Sequence, residues 1–276
     1  MQAKWACVAV ALLSLEAPAQ DSLKDLDTPY VPTPQVVVDR MLHLAKLKAG
    51  ETVIDLGSGD GRIMIEAATR YGARGFGVEI DPRLVKLSND RAAKAGVADR
   101  VKFLQQDLFK TDFHEANVLT LYLLPDVNLA LRPKILAELR PGARVVSHDY
   151  GMGDWRPDAQ ETVPAPDKKV GARKESQVFI WTVPAKVAGE WRLEVSSAAK
   201  HTRMVLKQKF QSVSGNVELT GQGDLPVKEG GLRGDELRLM LADAVEMVGR
   251  ATGDTLAGTL RRSGRELASW TARRVP

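Results

Sequence analysis

Cysteine is almost absent from these 276 residues. The single one, Cys7, lies close to the N-terminus. A chain trimmed there would carry no disulfide, no cysteine-ligated metal and no thiol nucleophile. A long hydrophobic run is also missing. The best candidate, Trp5 to Leu15, covers 11 residues, whereas a spanning helix needs about 20. Strong excess charge is lacking too. The formal net charge is +4, too small by itself to argue for nucleic acid. Lys186 to Pro276 holds 15 Lys+Arg against 11 Asp+Glu, a difference of +4, so this tail carries the whole excess. It reads as solvated surface, with an acidic partner or a membrane surface as the alternative. Trp191, Trp270 and Tyr122 show no basic–aromatic spacing suited to base stacking. With 44% hydrophobic and 27% charged residues, the chain should fold as a globule with room for two domains.

What is present begins at the N-terminus. Lys4, the run Trp5–Leu15 and Ala17-Pro18-Ala19 follow the charge, apolar stretch and small-residue pattern of an export signal over residues 1–19. The expected location is exported or periplasmic. An uncleaved anchor or a buried first helix, with a membrane-associated or cytoplasmic protein, is the alternative. Residues 20–33 form a polar lead-in containing Pro29 and Pro32. Thr33 is placed to cap a helix with Pro34 at its first position. Val37, Met41, Leu44 and Ala45 repeat at helical spacing, and Gly50 should end that helix.

Short apolar strands then alternate with helices. Strands are expected at Val53–Leu56, Gly75–Glu79, Val101–Leu104, Val118–Leu121 and Val145–His148. Helices are expected around Ile63–Ala68, from Pro82 to about Ala95, and over Val127–Leu139. This pattern predicts an α/β fold with a parallel sheet covered on both faces. Residues 151–175 are rich in glycine and proline and read as a long loop or flap, followed by a strand at Val178–Val183. Beyond Pro184 the period changes to two, with short strands separated by glycines. A small antiparallel β domain, sandwich or barrel, is expected there. The boundary falls near residues 184–189, giving units 20–185 and 186–276.

Asp55-Leu56-Gly57-Ser58-Gly59-Asp60-Gly61 follows the first strand. Gly57, Gly59 and Gly61 let the backbone approach a ligand, with Ser58 between them. Asp55 suits an electropositive ligand, directly or through water. Glu79, ending the second strand, can accept both hydroxyls of a ribose. A dinucleotide fingerprint would require glycine at position 62, which is Arg62. Asp55 and Asp60 would also oppose a pyrophosphate. The pattern therefore favours S-adenosylmethionine (SAM), which carries an ammonium and a sulfonium but no phosphate. A nicotinamide site and a ligand-free turn are the alternatives. Asp107 and Leu108 close the third strand, where they can bond an adenine amino group and pack on its ring, with a solvated Asp after a strand as the alternative. Tyr122, ending the fourth strand, faces the transferable methyl and is the candidate at the reaction centre, with a core tyrosine as the alternative. His148 and Asp149 lack a second histidine nearby, so no metal is expected. Asp154, Trp155 and Arg156 fit loop packing better than substrate contact.

The glycine loop resembles motif I of class I SAM-dependent methyltransferases. Pro29-Tyr30-Val31-Pro32-Thr33-Pro34, Asp55 to Arg62, and Leu121-Tyr122-Leu123-Leu124-Pro125 are together similar to one family. It contains the mitochondrial ATP synthase c-subunit lysine methyltransferase and prokaryotic relatives. The non-SET histone-lysine methyltransferases are a more distant likeness. The resemblance covers roughly residues 28–158. It implies a Rossmann-like methyltransferase sheet over 20–185, with Tyr30 and Thr33 lining the cofactor pocket as a lid. It also implies a protein lysine as acceptor. A small-molecule acceptor, or a non-catalytic binding protein of the cell envelope, remain as alternatives.

Overall fold

The structure is a computed structural model and describes residues 30–275. The expected export signal lies outside the described residues. Five strands run parallel: β1 (Thr52–Leu56), β2 (Arg74–Glu79), β3 (Val101–Gln105), β4 (Val118–Leu121) and β5 (Arg144–His148). Two more, β6 (Ala159–Pro164) and β7 (Glu175–Thr182), form a hairpin, and β7 joins β5 antiparallel. The order across the sheet is β3-β2-β1-β4-β5-β7-β6. Successive side chains enter opposite faces, so Val53 and Val146 join one core while Ile54 and Val145 join the other.

Three helices contribute to the first core: α1 (Gln35–Leu44), α2 (Arg62–Tyr71) and α3 (Pro82–Lys94). Asp81 starts α3 by accepting the Arg83 amide at 2.8 Å, with Pro82 in the first turn. The second core holds one helix, α4 (Pro125–Glu138), together with Phe113, Met152, Trp155 and Trp181. No helix of the described residues is long and apolar enough to cross a membrane.

Three local expectations are corrected. Thr33 does not cap α1; Pro34 holds the cap position and no side chain bonds the first turn. The Thr33 hydroxyl lies instead 3.2 Å from His148 Nδ1. Helix α1 stops at Leu44 rather than at Gly50, because Lys46 takes a left-handed φ of 48°. Residues 151–175 are not one loop. Strand β6 occupies part of them, and Met152 and Trp155 are fully buried. Trp155 thus belongs to the core, and its carbonyl accepts the Trp181 indole N–H at 2.8 Å.

Nine further strands follow: β8 (Gly189–Val195), β9 (Thr202–Lys209), β10 (Ser212–Leu219), β11 (Gly223–Pro226), β12 (Glu229–Arg233), β13 (Glu236–Met240), β14 (Val245–Thr252), β15 (Thr255–Arg262) and β16 (Arg265–Arg274). They close into a barrel, because β10 pairs with β9 as well as with β11 and β12. β11 and β12 share one edge of β10 in series and act as a single stave. Inside, Trp270 is fully buried. Gly249 and Gly258, paired in register beside it, leave the room its ring needs; a Cβ on Gly249 would lie 2.6 Å from the ring.

The barrel leans on the second face of the mixed sheet. Its β9–β10 turn presents Phe210, stacked on Trp155 with ring centroids 6.0 Å apart. Arg132 of α4 lies over the same Phe210 ring at 5.2 Å. Asp154 accepts from Arg132 at 2.6 Å and pairs with Lys209 at 2.9 Å. Where no helix follows β5, this turn supplies the cover.

Candidate active site

The glycine loop folds back on β2: the Gly57 and Ser58 amides both donate to the Val78 carbonyl at 2.9 Å. The Gly59 amide donates to Glu79 Oε2 at 2.9 Å. Glu79 Oε1 accepts the Ile80 and Asp81 amides at 2.8 and 3.1 Å. Three backbone donors therefore fix this carboxylate at the end of β2. Gly59 has φ +53°, and a Cβ there would stand 2.7 Å from the Tyr30 ring. The ring lies directly on bare backbone, which only glycine permits.

Tyr30 and Thr33 are fastened to the loop by charge. The nearly buried Asp60 accepts from Arg62 Nε at 2.9 Å and Nη2 at 2.6 Å, and also from Arg91. Arg62 Nη1 donates to the Thr33 carbonyl at 2.7 Å. Burial raises the Asp60 carboxyl, but the two guanidiniums outweigh it and hold it at about 2. The Tyr30 hydroxyl is raised by burial and then by the nearby Asp60 carboxylate. Asp60 thus acts as a latch between the lead-in and the loop.

Asp55 behaves differently. Its Oδ1 accepts the Thr120 hydroxyl at 2.6 Å, while Oδ2 is buried without a partner. Burial pushes its carboxyl up to about 7; Thr120 opposes this, and Glu79 and Asp60 add to it. Ser58 Oγ is also buried without a partner. Orphaned polar atoms are rare in folded proteins and call for a ligand or an ordered water.

Asp107 Oδ1 accepts the Phe109 amide at 2.8 Å, capping a short 3₁₀ turn, Leu108–Lys110. Leu108 packs partly against the second core. Ile80 beside Glu79 is 68% exposed, a large apolar side chain left open at the strand end. At the end of β4, the half-buried Tyr122 ring lies 3.9 Å from the His148 ring and 6.4 Å from Tyr150. Burial first, then Asp149 and Tyr150, push the Tyr122 hydroxyl up to about 12. His148 is fully buried between the Thr33 and Ser176 hydroxyls, at 3.2 and 2.8 Å. Burial lowers it to about 4, Asp149 opposing and Lys168 reinforcing.

Every residue assigned from the sequence to the cofactor or the reaction centre lies at or beside the C-terminal edge of the parallel strands, where such sheets bind ligands. Asp55, the glycine loop and Glu79 meet directly, with Tyr30 covering Gly59. Asp107 and Leu108 stand at the end of β3, and Tyr122 at the end of β4. Ile80, Tyr150 and Arg91 escape the sequence reading, which names Asp60 and Arg62 but not the latch they form. The position of Ile80 directly after Glu79 is a signal that could have found it.

The family model of the ANTKMT methyltransferase domain matches residues 55–159. A protein-lysine N-methyltransferase of Saccharolobus islandicus (strain REY15A) is 44% identical over 130 residues, covering 47% of this chain and 81% of the relative. The chain belongs to this methyltransferase family. An ATP synthase c-subunit lysine N-methyltransferase of Xenopus laevis is 34% identical over 164 residues, 56% of this chain and 72% of the relative. A crystal structure of an RNA methyltransferase from Salinibacter ruber holds S-adenosyl-L-homocysteine. It superposes with a TM-score of 0.51 and 52% identity, covering 57% of this chain and 96% of that one. The enzyme is thus a SAM-dependent methyltransferase, and its site fits SAM on its own terms. The orphaned oxygen of Asp55 suits a cation, the glycine loop leaves room for close approach, and the guanidiniums beside the loop, Arg62 and Arg91, are already taken by Asp60.

Proposed function

We propose that the methyltransferase modifies the ε-amine of a protein lysine. The observation that carries this reading is the aromatic group at the ends of β4 and β5, Tyr122 against His148 with Tyr150 alongside. A lysine must lose its proton before it can attack, and its reference pKa is about 10.4. A wall of partly buried rings lowers that value by stripping water from the ammonium. His148, neutral at ordinary pH, adds no competing positive charge. The naming of the Saccharolobus and Xenopus relatives as lysine methyltransferases supports the same acceptor.

SAM, when bound, supplies a methyl group already activated by its sulfonium. The chain holds and orients. Asp55 and the Gly57–Gly61 backbone receive the methionine end, Glu79 the ribose, and Ile80, Asp107 and Leu108 the adenine. Tyr30 and Thr33 close over it and exclude water. Tyr122 and Tyr150 align the acceptor for in-line attack.

Labelled methyl transfer into cell extract tests the proposal. Label released by protease and recovered as methyl-lysine after acid hydrolysis is the expected result, abolished by Glu79→Ala. The description of the Salinibacter protein supports a second acceptor, RNA, against the small charge excess of this chain. Label that resists protease and yields to ribonuclease would favour it; label in the low-mass fraction would favour a small-molecule acceptor.

A further inference from the structure

Asp149 directly follows β5 and holds a left-handed φ of 61°. That region disfavours residues other than glycine, aspartate less than most. Gln177 of β7 secures it from both sides. The Asp149 amide donates to the Gln177 carbonyl at 2.7 Å, and Asp149 Oδ1 accepts the Gln177 amide at 3.0 Å. Strain maintained in this way concentrates at functional positions.

The second oxygen, Oδ2, takes the ammonium of Lys168 at 2.7 Å. Lys168 sits on the connection between β6 and β7, at the end of the sheet where β5 finishes, since His148 pairs with Val178 and Pro164 with Glu175. Its side chain is only 12% exposed, and its Nζ also donates to the Glu175 carbonyl at 2.7 Å. A lysine ammonium is therefore already bound, largely dry, by one carboxylate and one carbonyl. His148 Nε2 lies 3.5 Å from the same carboxylate oxygen, and the Tyr122 ring packs on His148. The Asp149 charge reaches the Tyr122 hydroxyl as well. The pocket edge thus contains a working receptor for a primary ammonium next to the residue facing the acceptor.

We propose that Asp149 captures the incoming acceptor lysine as its ammonium, that the amine then leaves this carboxylate for the Tyr122–Tyr150 wall and releases its proton to solvent before attack, and that Lys168 occupies Asp149 until the acceptor displaces it. The inference rests on the protein-lysine reading above. Asp149 is a binding and specificity residue in this scheme; Lys168 is a built-in competitor. The rival explanation is a brace that merely ties the β6–β7 connection to β5. The two differ in sign when Lys168 is removed.

The test compares Asp149→Asn and Lys168→Met with the wild-type chain, using labelled transfer into extract protein read as methyl-lysine. Asparagine tolerates the left-handed backbone and still accepts the Gln177 amide. Methionine keeps the apolar stem and loses only the charge. Asp149→Asn should raise the apparent KM for acceptor about ten- to a hundredfold, the usual loss for one charged hydrogen bond, with SAM affinity unchanged by calorimetry. Lys168→Met should lower that KM. Parallel loss of activity in both variants, or an unchanged KM in Asp149→Asn, would overturn the proposal. Wild-type label without methyl-lysine would instead overturn the acceptor reading on which it rests.

Discussion

Replacing Asp55 with asparagine keeps the side-chain shape and removes a charge that the fold resists. Folding carries this carboxyl from an ordinary 3.8 to about 7. Between those values the native chain binds more protons than the unfolded one, so stability falls as pH rises through the window. At about 1.4 kcal/mol for each pK unit, the full loss is about 4 kcal/mol, complete only above pH 7. Asparagine can still accept the Thr120 hydroxyl and titrates nowhere. The stability of Asp55→Asn relative to wild type should therefore climb steadily from pH 4 to pH 8. His148 works in the opposite direction: burial lowers it from 6.5 to about 4, so its contribution is lost as pH falls through that range. The two effects partly cancel in the wild-type curve, and the difference between the two proteins isolates Asp55. Urea unfolding without ligand at pH 5, 6, 7 and 8 measures it. A constant offset across that range would refute the reasoning. The same variant should lose SAM affinity, because the unpartnered oxygen that destabilises the free protein is the one offered to the ligand's positive charge.

Gly59→Ala combines a left-handed φ with a 2.7 Å approach to the Tyr30 ring. It should weaken SAM binding about tenfold, from about 1–2 kcal/mol of backbone strain, with the circular dichroism spectrum preserved; undiminished calorimetric affinity would contradict the stacking of Tyr30 on that backbone. Trp155→Ala should lower unfolding free energy by about 3–5 kcal/mol, since the ring joins the mixed sheet to Phe210. A loss below about 1 kcal/mol in urea titration would show that the contact contributes little. For the export signal, mass spectrometry of the protein from fractionated cells should find Gln20 as the mature N-terminus in the envelope fraction. An intact Met1 in the cytoplasm would dismiss that proposal.

The parallel strands were legible because burial on both faces leaves continuous apolar runs such as Val53-Ile54 and Val145-Val146. The Asp55–Gly61 loop was legible because its spacing carries the geometry of close backbone approach. Strand β6 was not. Its residues Ala159 to Pro164 are mostly exposed, and their extended form comes from pairing with β7. Strand β12 was hidden by Gly230-Gly231, whose order is imposed by β10 and β13. Thr33 shows the limit of local rules most directly. A cap was available next door, yet its hydroxyl lies against a histidine 115 residues away. Arg91, which completes the Asp60 latch from 31 residues further on, is likewise invisible to any short motif.

Phe210 has a consequence for how the gene could be divided. The residue belongs by sequence to the barrel and by packing to the core of the mixed sheet. A fragment ending near residue 185 would expose the Trp155 ring and leave Arg132 without its aromatic cover. Such a fragment should aggregate alone and recover when co-expressed with residues 186–276 as a separate chain. Fragment complementation would then report on one hairpin turn, read out as soluble yield.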